Sequence, residues 1–525
     1  MSESTLYFNG TIYTMDGANT CCSAMLVTDG KVAVTGSDAD LLAGKPENAQ
    51  TVDLQGRVVL PGLVEGHTHV AITGRRMLEL ELSGKSKEEI LALVREKAET
   101  LPEGQWLCGS GWSQDDWADK TFPTAAELDA AAPRNPVRLI RCCGNAYWCS
   151  GRAMALAGVT PDPTQPGILT GPACRSIDDA IPDYTPEQYR QMLSYLQEIF
   201  LSQGITAVME KGAAAQSPLT VTGGKPVVEL MHRLSQSGWL KLRLHQAVIG
   251  LDPFADEAFQ GDWKPFCYND RLSVRSVKFW TDGAFGPRSA HLSRDYRDRP
   301  GHRGSRWFTD EDLIALFRKF DALGVQIEVH TIGDASTTQV LDCYEAAFAD
   351  ALDKDRRFII DHVHVPKPED IVRMGKLNVI NSTQFIQFSD DMVFLPEVLP
   401  EEMLPRVYPW RAVLDAGCRI VNGSDMEPVS PFLMMYIAVT RKNIHGVNTL
   451  EQEPLQKLTR LEALRSCTTD AAYAMFMEDR IGSLEAGKYA DFIFLDRDYF
   501  ACPEEEIRDI RVEATYISGQ PVFSR

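Results

Sequence analysis

The sequence predicts an α/β protein: a distorted TIM (β/α)8 barrel, a small β-sandwich domain built from both chain ends, and an insertion after barrel strand 1. Three observations predict this fold. Eight short β-branched strands alternate with helical stretches, both ends of the chain are rich in hairpin turns, and a long segment follows the first strand. With 525 residues, 44% of them hydrophobic, the chain can bury a barrel core and a second domain.

Turn dipeptides divide both ends of the chain into short strands. Residues 1–60 contain Asn-Gly and Asp-Gly pairs, which favour hairpins, and residues 481–525 likewise combine short apolar runs with glycines, including a final Ser-Gly turn at 518–519. We therefore expect residues 1–60 together with 481–525 to form one composite β-sandwich. The barrel domain, residues 61–480, would be inserted between them.

Eight candidate strands in the middle of the chain are the number that closes a TIM barrel. In that fold the catalytic side chains lie at the carboxyl ends of the strands, and several of these strands end in residues that can bind a metal. The predicted strands are residues 58–69, 205–210, 240–249, 274–281, 325–332, 358–364, 379–384 and 419–423.

The segment after the first strand, residues 71–202, is too long for one crossover and contains four tryptophans. We expect a cap-like insertion that covers the barrel mouth and selects the substrate. Its aromatic residues favour an apolar or aromatic substrate portion, but an equally good interpretation places them in the core of the cap. These residues are Trp112, Trp117, Tyr147 and Trp148.

Composition excludes several classes of partner. A formal charge of -20 without a basic stripe argues against nucleic acid, and the apolar runs have only strand length, which argues against a membrane. The N-terminus lacks the features of a secretory signal, so we expect a cytoplasmic protein with reduced cysteines. The expected partner is a small-molecule substrate, with a homodimer left open.

His67 and His69 point to a metal site. Side chains alternate between the two faces of a strand, so these two imidazoles project to the same side and can bind one cation together. Two histidines in one strand are fairly often structural, but here they follow an apolar strand that can hold both rings rigidly. Metal-assisted hydrolysis is the leading hypothesis.

Lys278 lies among apolar neighbours near the end of the fourth strand. One interpretation is an ion-paired or snorkelling lysine. The other starts from burial, because a desolvated lysine loses its proton more readily and its neutral amine can react with carbon dioxide. The resulting carbamate would bridge two metals. We favour this modestly, and an amine beside a single metal stays open.

Three more strands end in candidate ligands. His330 and His362 end the fifth and sixth strands, and His364 is expected on the same face as His362, next to the ligands or facing the substrate. Asp425 follows the eighth strand. It could cap a helix, but in a barrel lined by histidines it is better placed to touch the metal and move a proton.

Nine segments, in this order, carry a resemblance to a known family: residues 61–69, 111–117, 133–137, 277–283, 330–334, 361–362, 382–384, 423–425 and 482–491. The first and last are highly specific as an ordered pair. The chain resembles the amidohydrolase superfamily, in its amidohydrolase-3 group, which is YtcJ-like and includes N-substituted formamide deformylase. The resemblance covers nearly the whole length.

The resemblance implies a metal-dependent hydrolase of a non-peptide C–N bond, in an amide, formamide, cyclic amide or carbamate, acting through metal-activated water. It implies one or two divalent ions, usually Zn2+, with Asp425 as the catalytic acid/base. The implied metal ligands are His67, His69, Lys278 as N6-carboxylysine, His330, His362 and Asp425. The expected substrate contacts are Trp112, Asn145, His364 and Gln384.

Some positions depart from the family pattern. Glu65 replaces the usual Asp before the His-x-His motif, and in the cap Asn145 replaces His and Cys149 replaces Asn. The substrate-facing cap is therefore altered, and deformylase specificity does not transfer. Two alternatives remain: a non-hydrolytic metal-dependent isomerase or decarboxylase on the same scaffold, and a catalytically silent binding protein.

Overall fold

The computed structural model describes residues 3–70, 73–74, 79–114, 117–141, 146–160, 166–170, 172–182, 185–213, 224–259, 269–448, 450 and 456–525. The chain divides into two compact units. The first comprises Met1–His69, Gln197–Ala214 and Gly224–Arg525, and the second comprises Val70–Leu196 and Ala215–Gly223. Each is described separately.

The first unit contains an eight-stranded parallel sheet in which the strands follow one another in chain order. Strands 1 and 8 of this sheet meet through one bridge, between Thr68 and Asp425, so the sheet curls into a nearly closed barrel. We call its members barrel strands 1 to 8; they are Leu63–Thr68, Ile205–Ala213, Arg243–Ile249, Leu272–Trp280, Gln326–Thr331, Ile359–His362, Ile380–Thr383 and Arg419–Asn422. The α/β barrel predicted from the sequence is confirmed.

The prediction of one continuous strand over residues 58–69 was wrong. The structure has two strands there, Val58–Pro61 in the sandwich and Leu63–Thr68 in the barrel. Gly62 separates them, and a Cβ at this position would lie 2.4 Å from the Thr206 hydroxyl oxygen. The chain therefore needs glycine where it passes from one sheet to the next.

Both chain ends contribute to a six-stranded sheet, whose strands are Thr11–Tyr13, Cys21–Cys22, Val58–Pro61, Phe492–Leu495, Val512–Ile517 and Gln520–Ser524. A four-stranded sheet is formed by Ser4–Phe8, Ala24–Thr28, Lys31–Gly36 and Gln50–Asp53. Tyr7, Phe492 and Tyr516 pack between the two sheets in one apolar cluster. Barrel strand 3 is tied to this region, because the buried Arg243 guanidinium donates two hydrogen bonds to the Asp491 carboxylate.

One helix of the first unit, Asp38–Gly44, precedes the barrel, and the others lie between the barrel strands or after them. Several begin at polar caps; the Thr309 hydroxyl, for example, accepts from the Asp312 N–H at the start of Asp310–Ala322. The helices are Asp38–Gly44, Gly224–Gln236, Pro253–Ala258, Asp310–Ala322, Asp334–Ala347, Pro368–Lys376, Phe385–Asp391, Leu395–Val398, Trp410–Asp415, Pro431–Thr440, Arg460–Ser466 and Thr469–Ala474, with 3-10 turns at Glu401–Arg406 and Glu504–Asp509.

The second unit has its own five-stranded sheet, formed by Leu80–Glu81, Leu107–Trp112, Val137–Arg141, Ala146–Cys149 and Ile168–Thr170. Its helices are Lys87–Thr100, Ala125–Ala131, Gly151–Leu156 and Pro172–Ala180, and the helix Pro186–Ser202 begins in it. Trp112, Trp117 and Trp148 are buried in its core with ring centroids 5.8–6.2 Å apart. This burial favours the packing interpretation of these tryptophans.

In the part of the chain that the structure describes, no helix is long and apolar enough to cross a membrane.

Candidate metal centre

The carboxyl ends of barrel strands 1 and 8 bring three candidate ligands together. His67, His69 and Asp425 each offer one donor atom, and these three atoms lie within 4.8 Å of one another. The backbone fixes this arrangement: the Asp425 N–H donates to the His67 carbonyl at 2.7 Å, and the His69 N–H donates to the Asp425 carbonyl at 3.2 Å. The contact that closes the barrel therefore also assembles the site.

Hydrogen bonds orient the His67 imidazole. Its Nδ1 lies 3.0 Å from Asp361 Oδ1 and 3.1 Å from Ser382 Oγ, while its buried Nε2 has no hydrogen-bond partner among the described residues. Burial lowers the pKa of His67 well below its usual value, although Asp361 opposes this shift. A neutral ring whose Nδ1–H is held by a carboxylate leaves the Nε2 lone pair for a metal.

Asp425 follows barrel strand 8 in a left-handed backbone conformation, with φ of 67°. Its Oδ1 lies 3.6 Å from His67 Nε2 and 3.4 Å from His69 Nε2, and its Oδ2 accepts from the Gln387 amide at 2.8 Å. Burial raises the pKa of Asp425 to about 6, with Lys278 opposing the shift. This carboxyl group can therefore exchange a proton near neutral pH.

A second pair of histidines comes from barrel strands 5 and 6. The rings of His330 and His362 have centroids 4.3 Å apart, and the His362 ring lies 5.1 Å from that of His67. His362 Nδ1 is 2.6 Å from Gln384 Oε1, and His330 Nε2 is 3.3 Å from the Gly283 carbonyl. Each ring thus has one nitrogen held by an acceptor and the other left for a ligand bond.

Lys278 is fully buried and pairs with Asp361 through Oδ2. Burial lowers the pKa of this lysine, Asp361 opposes that shift, and Lys211 adds to it. The unmodified Lys278 side chain is therefore ion-paired, as one interpretation of the sequence expects. Its lowered pKa is also the property that carbamate formation requires. The carbamate stays a prediction.

Asp361 is not among the residues that the sequence predicts for the site, yet its carboxylate contacts His67, Lys278 and Lys211. Strand alternation would send Asp361 and His362 to opposite faces. His362 has φ of 72°, which breaks the alternation and lets both neighbours reach the site. The sequence offers one indication that Lys211 also belongs to the site: like Lys278, it lies near the end of a mostly apolar strand.

The predicted substrate contacts have different surroundings. Gln384 is fully buried, and its Oε1 lies 2.6 Å from His362 Nδ1, so its amide can orient this candidate ligand; its contact with a substrate stays a prediction. Trp112 donates its indole N–H to the Leu139 carbonyl at 2.9 Å within the core of the second unit. Asn145 lies outside the described residues.

His364 is the remaining predicted substrate contact. It follows two left-handed residues instead of continuing the strand, and its ring centroid lies 5.4 Å from that of His362. Its Nδ1 is 3.1 Å from the Tyr408 hydroxyl, which donates to Asp391 at 2.6 Å. Its buried Nε2 has no hydrogen-bond partner in the described part of the chain, so it can bond to a substrate.

Glu65, which departs from the family pattern, bonds to two backbone N–H groups beside the site. Its Oε1 accepts from the His67 N–H at 3.0 Å and the Ser424 N–H at 2.8 Å, so the carboxylate joins barrel strand 1 to the loop after strand 8. Space for it depends on Gly423, where a Cβ would lie 2.4 Å from Glu65 Oε1 and 2.2 Å from the His67 nitrogen.

The donor set fits a divalent metal. Neutral imidazoles, a carboxylate and a buried His67 Nε2 without a hydrogen-bond partner among the described residues are the groups that Zn2+ binds. His67, His69 and Asp425 form the most compact set, and His330 with His362 can extend it.

Comparison with known proteins agrees with the predicted family and fold. The amidohydrolase family model matches residues 50–523. YtcJ of Bacillus subtilis (strain 168) is 28% identical over 99% of this chain and 99% of its own length. The N-substituted formamide deformylase of Arthrobacter pascens is 25% identical over 99% of this chain and 98% of its own.

A solved structure shares the architecture. It is that of an uncharacterized metal-dependent hydrolase from Pyrococcus horikoshii OT3, which superposes with a TM-score of 0.80 at 26% identity, covering 96% of this chain and 99% of that chain.

Proposed function

The chain belongs to the amidohydrolase family, and from this membership we propose that it is a metal-dependent hydrolase of a non-peptide C–N bond. The bond classes are amide, formamide, cyclic amide and carbamate. The observation that carries the proposal is the convergence of His67, His69 and Asp425 at the mouth of the barrel. The deformylase named among the relatives supports the bond class.

His67, His69 and Asp425 would hold a divalent ion, most simply Zn2+. Lys278, as N6-carboxylysine, would link this ion to a second one held by His330 and His362. When bound, the metal lowers the pKa of water and polarises the substrate carbonyl. Asp361, Ser382 and Gln384 keep the ligand rings in place.

Asp425 is the acid/base of the proposed reaction. Its carboxylate takes a proton from the attacking water and returns it to the leaving nitrogen as the carbon–nitrogen bond breaks. The Gln387 amide orients this carboxylate by donating to Oδ2 at 2.8 Å, while Oδ1 faces His67 and His69.

His364 supports substrate binding. Its imidazole is buried, Tyr408 and Asp391 hold its Nδ1 side, and its Nε2 can form a hydrogen bond to a polar group of the substrate. Burial lowers the pKa of His364 to about 3, so the ring is neutral near pH 7. A neutral imidazole suits an uncharged amide-type substrate better than a cation does.

The test is a screen of N-acyl, N-formyl, lactam and carbamate compounds with Zn2+- or Mn2+-loaded full-length protein in heavy-oxygen water. Hydrolysis of the N-acyl, N-formyl and lactam compounds predicts a carboxylic acid that carries one labelled oxygen, and hydrolysis of the carbamate C–N bond predicts a free amine and a labelled carbonic half-ester, which releases labelled carbon dioxide. A product of unchanged mass would indicate isomerisation, and unlabelled loss of carbon dioxide would indicate decarboxylation; either contradicts the proposal. Absence of turnover across all four classes, with metal bound, would favour a binding protein.

A further inference from the structure

A second buried lysine lies close to the site and has no part in the reaction described so far. Lys211 lies near the carboxyl end of barrel strand 2 and is fully buried. Its Nζ lies 2.5 Å from Glu328 Oε2 on barrel strand 5 and 3.5 Å from Asp361 Oδ1 on barrel strand 6. Strand 2 is not hydrogen-bonded to either of those strands, so the lysine side chain crosses the barrel interior to reach both carboxylates.

Asp361 connects this lysine to the metal centre. The oxygen atom nearest Lys211, Oδ1, is the one that accepts from His67 Nδ1 at 3.0 Å. The other oxygen, Oδ2, pairs with Lys278. Lys211 is therefore one carboxylate away from a ligand ring, and its position influences where that carboxylate points.

Stability alone is a weak reason for this arrangement. TIM barrel interiors are filled mostly by branched apolar side chains, and an apolar replacement of a buried ion pair is often neutral or stabilising. Here two lysines and two carboxylates occupy one buried cluster, with Lys211 and Lys278 balancing Glu328 and Asp361. If Lys278 becomes an anionic carbamate, Lys211 is the cation of this cluster that remains beside Asp361.

We propose that Lys211 is a positioning residue for metal binding, which acts through Asp361. Its ammonium group holds the Asp361 carboxylate in the orientation that accepts from His67 Nδ1, and this keeps His67 Nε2 available to the metal. Glu328 anchors the lysine from the opposite side. This inference rests on the proposed metal-dependent function and assigns a specific residue to it.

The experiment separates positioning from simple charge balance. Lys211→Met alone would leave Glu328 buried without its cation, so its effect would mix both roles. The double variant Lys211→Met/Glu328→Gln removes one positive and one negative charge together. The measurements are the melting temperature of the metal-free protein, the Zn2+ dissociation constant by chelator competition, and the visible spectrum of the Co2+-loaded protein.

We expect the double variant to recover most of the melting temperature that Lys211→Met loses, yet to bind Zn2+ about 10–100-fold more weakly than wild type, as for other residues that orient ligands. The Co2+ spectrum should change as well. Zn2+ binding within about threefold of wild type, with an unchanged Co2+ spectrum, would overturn the positioning role while leaving the proposed function intact.

Two comparisons keep the result interpretable. If the wild-type protein itself binds no Zn2+ or Co2+, the proposed function fails, and not only the role of Lys211. If the double variant does not fold, Lys211→Gln/Glu328→Gln decides, because the two amides can still hydrogen-bond across the barrel while the cation beside Asp361 is gone. This variant should bind Zn2+ about 10–100-fold more weakly than wild type with a changed Co2+ spectrum, and binding within about threefold with an unchanged spectrum would overturn the positioning role.

Discussion

The Nδ1 atom of His67 lies 3.0 Å from Oδ1 of Asp361, and both side chains are fully buried. A carboxylate behind a histidine fixes the tautomer and the ring plane, so that the other nitrogen faces a metal. This contact joins barrel strand 1 to barrel strand 6, on opposite sides of the site. It fixes the first imidazole of the His-Thr-His motif.

Asp361→Asn is expected to weaken Zn2+ binding about 10–100-fold while the fold is retained, because a neutral amide orients His67 less firmly than a carboxylate. Chelator competition measures the affinity and circular dichroism checks the fold. Ser382→Ala removes only the second acceptor of the same ring, at 3.1 Å, and should weaken binding less. Equal effects of the two substitutions would contradict the assigned role of Asp361.

Asp425→Asn is expected to keep the fold and much of the metal but to lower turnover by about 10²–10⁴, since an amide cannot accept the proton of the attacking water. The measurement is turnover of any substrate that the screen identifies, with metal content determined on the same sample. Asp415→Asn, at a largely exposed carboxylate, is the control and should match wild type. Near-normal turnover of Asp425→Asn would mean that another group moves the proton.

Metal binding should depend on pH through Asp425. Burial raises the pKa of this carboxyl to about 6 in the metal-free protein, while the pKa values of His69 and His330 are lowered to about 3. With Lys278 unmodified, the metal therefore displaces one proton from Asp425 at about pH 5–6, and affinity should rise about tenfold per pH unit up to pH 6 and then level off. Asp425→Asn should abolish this rise, and a persistent slope in that variant would contradict the prediction.

Lys278→Ala tests the carbamate. If the wild-type lysine carries carbon dioxide, gentle intact-mass measurement should show the added mass, and the alanine variant should regain part of its metal binding and activity with small carboxylates such as formate or acetate. Such ions would occupy the space of the lost group and supply its oxygen ligands. Full metal content and activity of Lys278→Ala without added carboxylate would exclude a bridging role.

Much of the site could be predicted from the sequence because several of its residues are close together in the chain or directly follow a strand. His67 and His69 share a face through strand alternation, and Asp425 follows a recognisable strand. The barrel follows from eight alternating strand and helix signals, and its closure next to Asp425 comes from the backbone contact to His67.

What could not be predicted depends on contacts between distant strands or on unusual backbone angles. The φ of 72° at His362 lets Asp361 enter the site, and hydropathy does not encode such an angle. Lys211 meets Glu328 117 positions away in the chain, across the barrel. The strand change at Gly62 was missed because an apolar run on both sides of a glycine looks continuous in the sequence.

The central claim, that the His67, His69 and Asp425 cluster binds a catalytic divalent metal, is tested most directly by elemental analysis of the purified full-length protein. Wild type and the His67→Ala/His69→Ala double variant would be dialysed against Zn2+ or Mn2+ and freed of excess ion before measurement. The account predicts about one to two ions per chain in wild type and a clear loss in the variant. Absence of stoichiometric metal in wild type, even after reconstitution, would contradict it.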